Sequence, residues 1–190
     1  MAIRPAVPVI VPSQEEVIKQ RINAAIRKYA ALFSVDPILV AAVIWQESKC
    51  NIWASKVEEN FYNEKILPRG RRDLSGYVPA NLPDIITEKR DRSRSWGLMQ
   101  LMGETARVLG FRGDYLAGLY EIEVNIEYGC RCLARCLEKA NRDQSRGVLP
   151  ENRTVTEQAL IYYNGSSVYP PLVLGHIKSG DYRKVFDERE

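Results

Sequence analysis

The stretch Asp36-Pro37-Ile38-Leu39-Val40-Ala41-Ala42-Val43-Ile44-Trp45-Gln46-Glu47-Ser48 decides the fold, because its apolar residues leave no side that suits water. Asp36 is a good N-cap and proline is favoured at the first helical position, so the sequence predicts a helix that begins at Pro37. A helix that is apolar all round belongs in a protein core. We therefore expect this segment to form the central helix of a folded domain.

Glu47 stands near the C-terminal end of this predicted helix. Burial disfavours the charged form of a carboxyl group, and the negative end of the helix dipole does the same. Both effects predict a raised pKa for Glu47. A carboxyl group that keeps its proton near neutral pH can act as a general acid, so Glu47 is the first candidate catalytic residue.

Composition and charge are typical of a soluble globular protein. Hydrophobic residues make up 45% of the 190 residues, charged residues make up 27%, and the net charge is +3. Basic residues do not alternate with aromatic ones, so no nucleic-acid partner is expected. The sequence shows neither the uninterrupted apolar region of a signal peptide nor a membrane-spanning segment. We predict synthesis in the cytoplasm and no membrane span.

Three of the four cysteines crowd together at Cys130, Cys132 and Cys136, and the fourth is Cys50. Spacings of two and four residues within one helix do not favour disulfide geometry, so reduced thiols are expected. A metal site is the less favoured alternative, because the only histidine, His176, lies far along the chain. We therefore predict no metal and no other cofactor.

Helical periodicity predicts a single helical domain, 13–190, preceded by an extended arm, 1–12, that prolines interrupt. Capping boxes start at Ser13 and Thr154, and an apolar stripe runs from Ile122 to Leu137. The other expected features are a helix over Leu98–Leu109, a polar loop over Asn141–Asn152, a helix end at Gly165, and a turn at Pro170-Pro171 before a last short helix.

Residues 51–94 have a different texture, with many turn residues and one charged run, Glu88–Arg94. We expect short helices near Ser55–Ile66 and Asp84–Arg92, with irregular chain or a small hairpin between them. The charged run favours a solvated helix face, and a surface for a polyanion is the alternative. The expected fold class is therefore mainly α, with residues 51–94 as a central insertion of short helices and irregular chain.

Four short elements, in a fixed order, carry a family resemblance. They are Gln46-Glu47-Ser48, Gly97-Leu98-Met99-Gln100-Leu101-Met102, Asn125-Ile126-Glu127-Tyr128-Gly129 and Tyr162-Tyr163-Asn164-Gly165. Together they resemble the motifs of the soluble lytic transglycosylases, which cleave the glycan strands of bacterial peptidoglycan. The resemblance covers roughly residues 34–170 and implies a fold of the lysozyme-like α+β superfamily.

The chain departs from the family pattern between the first two elements. Residues 48–96 separate Glu47 from Gly97, whereas compact members of the family have a much shorter segment there. The serine that the family carries near its acid falls in this segment, and Ser55, Ser93 and Ser95 are the alternatives for it.

The resemblance implies that a single glutamic acid acts twice. Glu47 would protonate the bond between N-acetylmuramic acid and N-acetylglucosamine, and then take the proton from the muramic C6 hydroxyl as the 1,6-anhydro ring closes. Tyr163 would lie beside Glu47 and donate a hydrogen bond to it or orient it. Substrate-binding roles fall to Ser48, Gln100, Met102 and Asn164, and Met99 is either part of an apolar wall or a core residue.

Two alternatives stay open. A hydrolytic muramidase of the goose-lysozyme kind shares this fold and needs a second carboxylate, for which the insertion offers Glu58, Glu59, Asp73 and Asp91. A non-catalytic structural component of a phage tail or secretion apparatus would keep the fold without turnover. The expected partner is the peptidoglycan glycan strand, at the cell wall or periplasm. Our hypothesis for the origin is a phage-borne enzyme, with virion or secretion-apparatus proteins as further partners.

Overall fold

The apolar stretch forms helix α2, Pro37–Ser48, which is the buried axis of the computed structural model. The structure describes residues 12–80, 82 and 84–188. The carboxylate of Asp36 accepts a hydrogen bond from the Ile38 amide at 2.8 Å and caps the helix, with Pro37 in its first turn. Residues 39–44 are all buried. The sequence prediction of a capped core helix is confirmed.

Seven further α-helices and three short strands surround α2 in the described part of the chain. The helices are α1 (Gln14–Phe33), α3 (Glu59–Phe61, continued by a π-helical turn over Tyr62–Ile66), α4 (Ile85–Arg92), α5 (Gly103–Val108), α6 (Ile122–Ser145), α7 (Val155–Asn164) and α8 (Tyr169–Ser179). The strands are β1 (Ser55–Val57), β2 (Arg94–Trp96) and β3 (Leu101–Met102), and 3₁₀ turns cover Arg71–Asp73, Leu116–Tyr120 and Asp181–Lys184.

The long helices pack around α2 in pairs: α6 lies against α1 and α7, and α2 lies against α1 and α8. The apolar stripe of α6 points into this core, with Ile126, Cys130 and Leu133 fully buried. Both predicted capping boxes are present, at the starts of α1 and α7, and α7 ends at Gly165. The mainly α fold class is therefore confirmed.

The three strands form one antiparallel sheet in the order β1-β2-β3, with Ser55 opposite Trp96 and Ser95 opposite Met102. The predicted helix near Ser55–Ile66 is therefore wrong at its start, where β1 lies. The predicted helix over Leu98–Leu109 is wrong for its first half, because a turn and β3 precede α5. Strands this short show too little alternation in sequence for their period to be recognised.

Two other predicted features also differ from the structure, and a third falls largely on residues that the structure does not describe. Helix α6 continues to Ser145, through the start of the expected polar loop at 141–152. Pro170 and Pro171 lie inside the first turn of α8, where proline is tolerated, and not in a turn before it. The predicted arm, 1–12, lies outside the described residues except for Pro12. Within the described ranges, no helix combines the length and apolar character required to cross a membrane.

The charged run 88–94 does not form a solvated face, and this prediction is wrong. Glu88 and Arg92 are buried where α4 packs against α5. Arg92 donates to Glu88 at 2.9 Å and to Glu104 at 2.5 Å, and Arg107 donates to Glu88 at 2.8 Å. Arg92 also donates to the carbonyls of Ser75 and Tyr77, so it ties the insertion to α5. Apart from the Glu88–Arg92 pair, the partners lie outside the run, so the run itself cannot reveal them.

Replacing Arg92 by methionine should destabilise the fold, because it leaves Glu88 and Glu104 buried with fewer cationic partners. We expect the free energy of unfolding to fall by about 3–5 kcal/mol, measured by chemical denaturation followed by circular dichroism. The matched control is Arg90→Met on the same helix, whose exposed ion pair with Glu59 contributes about 1 kcal/mol or less. Equal losses in the two variants would contradict a structural role for the buried network.

Candidate active site

Glu47 lies one residue before the end of α2 and is partly buried. Its Oε1 accepts a hydrogen bond from the hydroxyl of Tyr169 at 2.5 Å, and the side chain of Asn164 is a second partner. Burial raises the pKa of Glu47 above its ordinary value, and the two hydrogen bonds oppose this shift. The direction agrees with the sequence prediction, since the carboxyl group closes an apolar helix at the negative end of its dipole.

The hydroxyl that holds the carboxylate belongs to Tyr169, the first residue of α8, which the sequence motifs do not single out. Tyr169 is buried, and this burial, together with the charge of Glu47, raises the pKa of its phenol. The phenol therefore stays protonated and acts as a donor. The Pro170-Pro171 pair could have placed Tyr169 at the start of a helix, because prolines favour the first turn, but nothing in the sequence links it to Glu47.

Tyr163 lies next to this pair, but its hydroxyl donates elsewhere. It donates to the backbone carbonyl of Met99 at 2.7 Å, and its ring stacks on that of Tyr169 with 6.4 Å between centroids. The donor to Glu47 expected at Tyr163 is therefore supplied by Tyr169. The reason is that the turn after Gly97 presents the Met99 carbonyl to α7. The Tyr163 hydroxyl donates its hydrogen bond to this carbonyl and not to Glu47.

Gln100 holds the turn between β2 and β3 in place. Its φ of 45° is left-handed, which costs energy for a residue with a side chain. The amide Nε2 donates to the carbonyls of Ala54 and Gly97, and Oε1 accepts from the hydroxyl of Ser95. Both amide hydrogens are thus used inside the protein. The substrate contact expected of Gln100 is limited to the remaining lone pair of Oε1.

Asn125 fixes the same turn from helix α6. Its Nδ2 donates to the Trp96 carbonyl and its Oδ1 accepts from the Met99 amide, both at 2.8 Å. Gly97 has a φ of 64°, and a Cβ there would lie 2.5 Å from Asn125 Nδ2. A Cβ on Gly129 would lie 2.2 Å from the sulfur of Met99, which is fully buried. Met99 is therefore a core residue and not part of an exposed apolar wall.

The other three substrate-binding candidates differ in what they contact. Ser48 is partly buried and donates back to the Ile44 carbonyl of its own helix at 3.2 Å. Asn164 is exposed at the end of α7, and its amide reaches Glu47. Met102 is partly buried and pairs with Ser95 across the sheet. Asn164 is thus the candidate that the structure brings directly to Glu47.

The three alternatives for the serine near the acid differ in their burial and hydrogen-bond partners. Ser93 is fully buried and donates to the Lys89 carbonyl, so it cannot reach a substrate. Ser55 accepts a hydrogen bond from Arg94, and Ser95 lies beside Gln100. In residues 12–80, 82 and 84–188, no three metal-binding side chains come together.

The family model of the transglycosylase SLT domain matches residues 24–166. This range contains Glu47 and the three other motif elements, and it ends before Tyr169. Comparisons with curated proteins and with solved structures gave no match.

Replacing Tyr169 by phenylalanine removes the hydroxyl donor and keeps the ring. Because the hydrogen bond from Tyr169 lowers the pKa of Glu47, we expect Tyr169→Phe to raise that pKa further. Titration of the ¹³C-labelled glutamate carboxyl by NMR measures it. Tyr163→Phe is the matched control, since its hydroxyl donates to Met99 and its loss should move the Glu47 pKa less. A larger upward shift in the Tyr163 variant would contradict the assignment.

Proposed function

The chain belongs to the transglycosylase SLT domain family, and we propose that it is a lytic transglycosylase in which Glu47 is the catalytic acid and base. The substrate is the β-1,4 bond between N-acetylmuramic acid and N-acetylglucosamine in the peptidoglycan glycan strand. The observation that carries the proposal is the partly buried carboxyl of Glu47, whose hydrogen-bonding side chains, Tyr169 and Asn164, are both uncharged.

In the first step, Glu47 donates its proton to the glycosidic oxygen as the bond to the muramic C1 breaks. The raised pKa keeps the carboxyl group protonated at higher pH than an exposed glutamate. Because the Tyr169 hydroxyl donates to Oε1, we place the acidic proton on Oε2. As the proton leaves, the hydrogen bonds from Tyr169 and Asn164 stabilise the new carboxylate.

In the second step, the Glu47 carboxylate takes the proton from the C6 hydroxyl of the same muramic residue. The C6 oxygen then bonds to C1 and closes the 1,6-anhydro ring. No water is consumed, and Glu47 returns to its protonated form for the next cycle. The nucleophile belongs to the sugar, so the protein needs no second carboxylate.

The hydrolytic alternative would draw its second carboxylate from the insertion, where each candidate has a partner of its own. Glu58 pairs with Lys56 and Glu59 pairs with Arg90. The Asp73 carboxylate accepts a hydrogen bond from the Gly70 amide. The Oδ1 atom of Asp91 lies 3.9 Å from Nε of Arg94. These local pairings support the transglycosylase proposal over the muramidase, in which such a group would have to hold a water molecule.

Glu47→Gln should lower glycan cleavage by at least about 100-fold, because an amide cannot donate the proton. The folded state should be no less stable near neutral pH. A raised carboxyl pKa costs the folded state stability as the pH rises from the ordinary glutamate pKa through the raised one, and the amide removes this cost. Turbidity of a peptidoglycan suspension and thermal unfolding measure the two effects. Wild-type activity in this variant would remove Glu47 from the mechanism.

The product separates the three candidate functions. We expect mass spectrometry of digested glycan strands to show fragments that end in 1,6-anhydromuramic acid, lighter by one water than hydrolytic fragments. A reducing muramic acid end would instead identify a muramidase. Absence of any cleavage by the wild-type protein would favour a non-catalytic component.

Our hypothesis for the origin of the protein is a phage-borne enzyme that acts on the cell wall. Its further partners would be virion or secretion-apparatus proteins. Detection of the protein in purified virions or in lysing cells would support it. Its absence from both would count against it.

A further inference from the structure

The last turn of α2 is held by side chains from one later stretch of chain, residues 169–184. This stretch comprises α8 and the 3₁₀ turn that follows it, and both pack against α2. It begins after residue 166, where the match to the SLT domain ends. Its contacts with α2 are therefore read from the structure of this chain and not from the family motifs.

Three consecutive residues of α2 each have a partner in residues 169–184. The pairs are Lys184 with Trp45, His176 with Gln46, and Tyr169 with Glu47. Successive residues of a helix point about 100° apart, so the three side chains leave α2 in different directions. Contacts in three directions hold the end of α2 more firmly than one contact could, since a single contact leaves the helix end free to pivot.

The middle contact is made by His176, whose ring lies between two oxygen atoms. Its Nε2 lies 2.9 Å from Oε1 of Gln46, and its Nδ1 lies 3.2 Å from Oδ2 of Asp181. A ring that carries both protons donates to both oxygens. Asp181 is itself fixed, because it accepts from the Lys184 ammonium at 2.6 Å and from the Ser179 hydroxyl at 2.8 Å. The imidazole is therefore braced on one side and holds Gln46 on the other.

The end of α2 needs such support because of how the helix stops. Helix ends fray, since their last carbonyls have no partner within the helix. The two residues after Ser48 are both left-handed, Lys49 with a φ of 51° and Cys50 with a φ of 67°, so the chain turns away at once. Glu47 lies one residue before this end. A small displacement of a catalytic group can cost a large part of the rate, so the order of this turn matters for the acid.

Tyr169 and His176 act on the end of α2 from the same face of α8. They lie seven residues apart, which is close to two full turns. Their partners, Glu47 and Gln46, are neighbours in the last turn of α2. With Gln46 held, the helix end cannot rotate about the bond between Tyr169 and Glu47. The carboxyl group therefore keeps a fixed direction.

We propose that His176 is a positioning residue for Glu47. By holding Gln46 against α8, it fixes the turn of α2 that carries the acid. The proposal rests on the function proposed above for Glu47. His176 acts through Gln46 and not on the substrate, and Asp181 acts by orienting the imidazole ring.

Two variants separate the two contacts of the ring. In His176→Gln the terminal amide reaches about as far as Nε2 and keeps a donor for Gln46, whereas the shorter amide of His176→Asn reaches about as far as Nδ1 and keeps only Asp181. We expect His176→Asn and His176→Ala to lower kcat on soluble glycan strands about tenfold, with KM changed less than about twofold. His176→Gln should stay within about twofold of the wild type. The exposed Lys178→Ala, on the same helix, is the control and should leave kcat and KM unchanged.

Amide hydrogen exchange followed by NMR tests the positioning without any catalysis. The amides of Glu47 and Ser48 should exchange about tenfold faster in His176→Asn than in His176→Gln, while the buried first half of α2 stays protected in both. If the wild-type protein cleaves no glycan, the proposed function fails, and the exchange rates still decide the role of His176. Equal exchange at Glu47 in the wild type and His176→Ala would overturn the proposal.

The kinetic results are equally decisive. Loss of activity in His176→Gln with retention in His176→Asn would overturn the proposal, because the contact with Asp181 would then be the important one. Equal losses in all three variants, or no loss in His176→Ala, would overturn it as well. Gln46→Ala removes the other partner and should reproduce the effect of His176→Ala, with no further loss in the double variant. Additive losses would contradict the shared contact, and thermal unfolding shows whether each variant is folded.

Discussion

The hydrogen bond from Tyr169 to Glu47 is the interaction on which the proposed chemistry depends. It joins the end of the most apolar helix, α2, to the start of α8, and together with the hydrogen bond from Asn164 it satisfies the partly buried carboxyl group. A buried polar group without a hydrogen bond is costly, so this contact also fixes the way α8 packs against α2. The same hydrogen bond therefore orients the acid and contributes to the packing of α8 against α2.

Several residues of the four motif elements hold the backbone in place. Asn125, Gly129 and the Tyr163 hydroxyl all act on the turn around Met99, and the side chain of Gln100 closes the same turn from inside. A tight turn with a left-handed residue leaves little room for other side chains, as the close approach of Asn125 to Gly97 shows. Such residues are recognised easily in a sequence, yet their role is a positioning one.

The sequence predicts the helices well where the signal is local. Asp36 and Pro37 specify the start of α2, the capping boxes specify α1 and α7, and the apolar stripe specifies α6. It fails where the deciding partner is distant: β1 exists because it pairs with β2, and Arg92 is buried because Glu104 reaches it from α5. Tyr169 belongs to the second group. Its contact with Glu47 joins residues that are 122 positions apart in the chain, and no local pattern indicates it.

The carboxyl groups of this protein that lie away from solvent have two kinds of partner and, with them, two different roles. Glu88 and Glu104 form buried ion pairs with arginines, and these pairs join helices and so serve the structure. Glu47 has hydrogen-bond donors that are uncharged, so it is oriented without losing its ability to hold a proton. Lys49, the lysine nearest to Glu47 in sequence, and Lys184 both lie over the ring of Trp45. Moving either ammonium to the carboxylate would favour its ionised form and weaken the acid, so their placement on Trp45 protects the function that the burial of Glu47 creates.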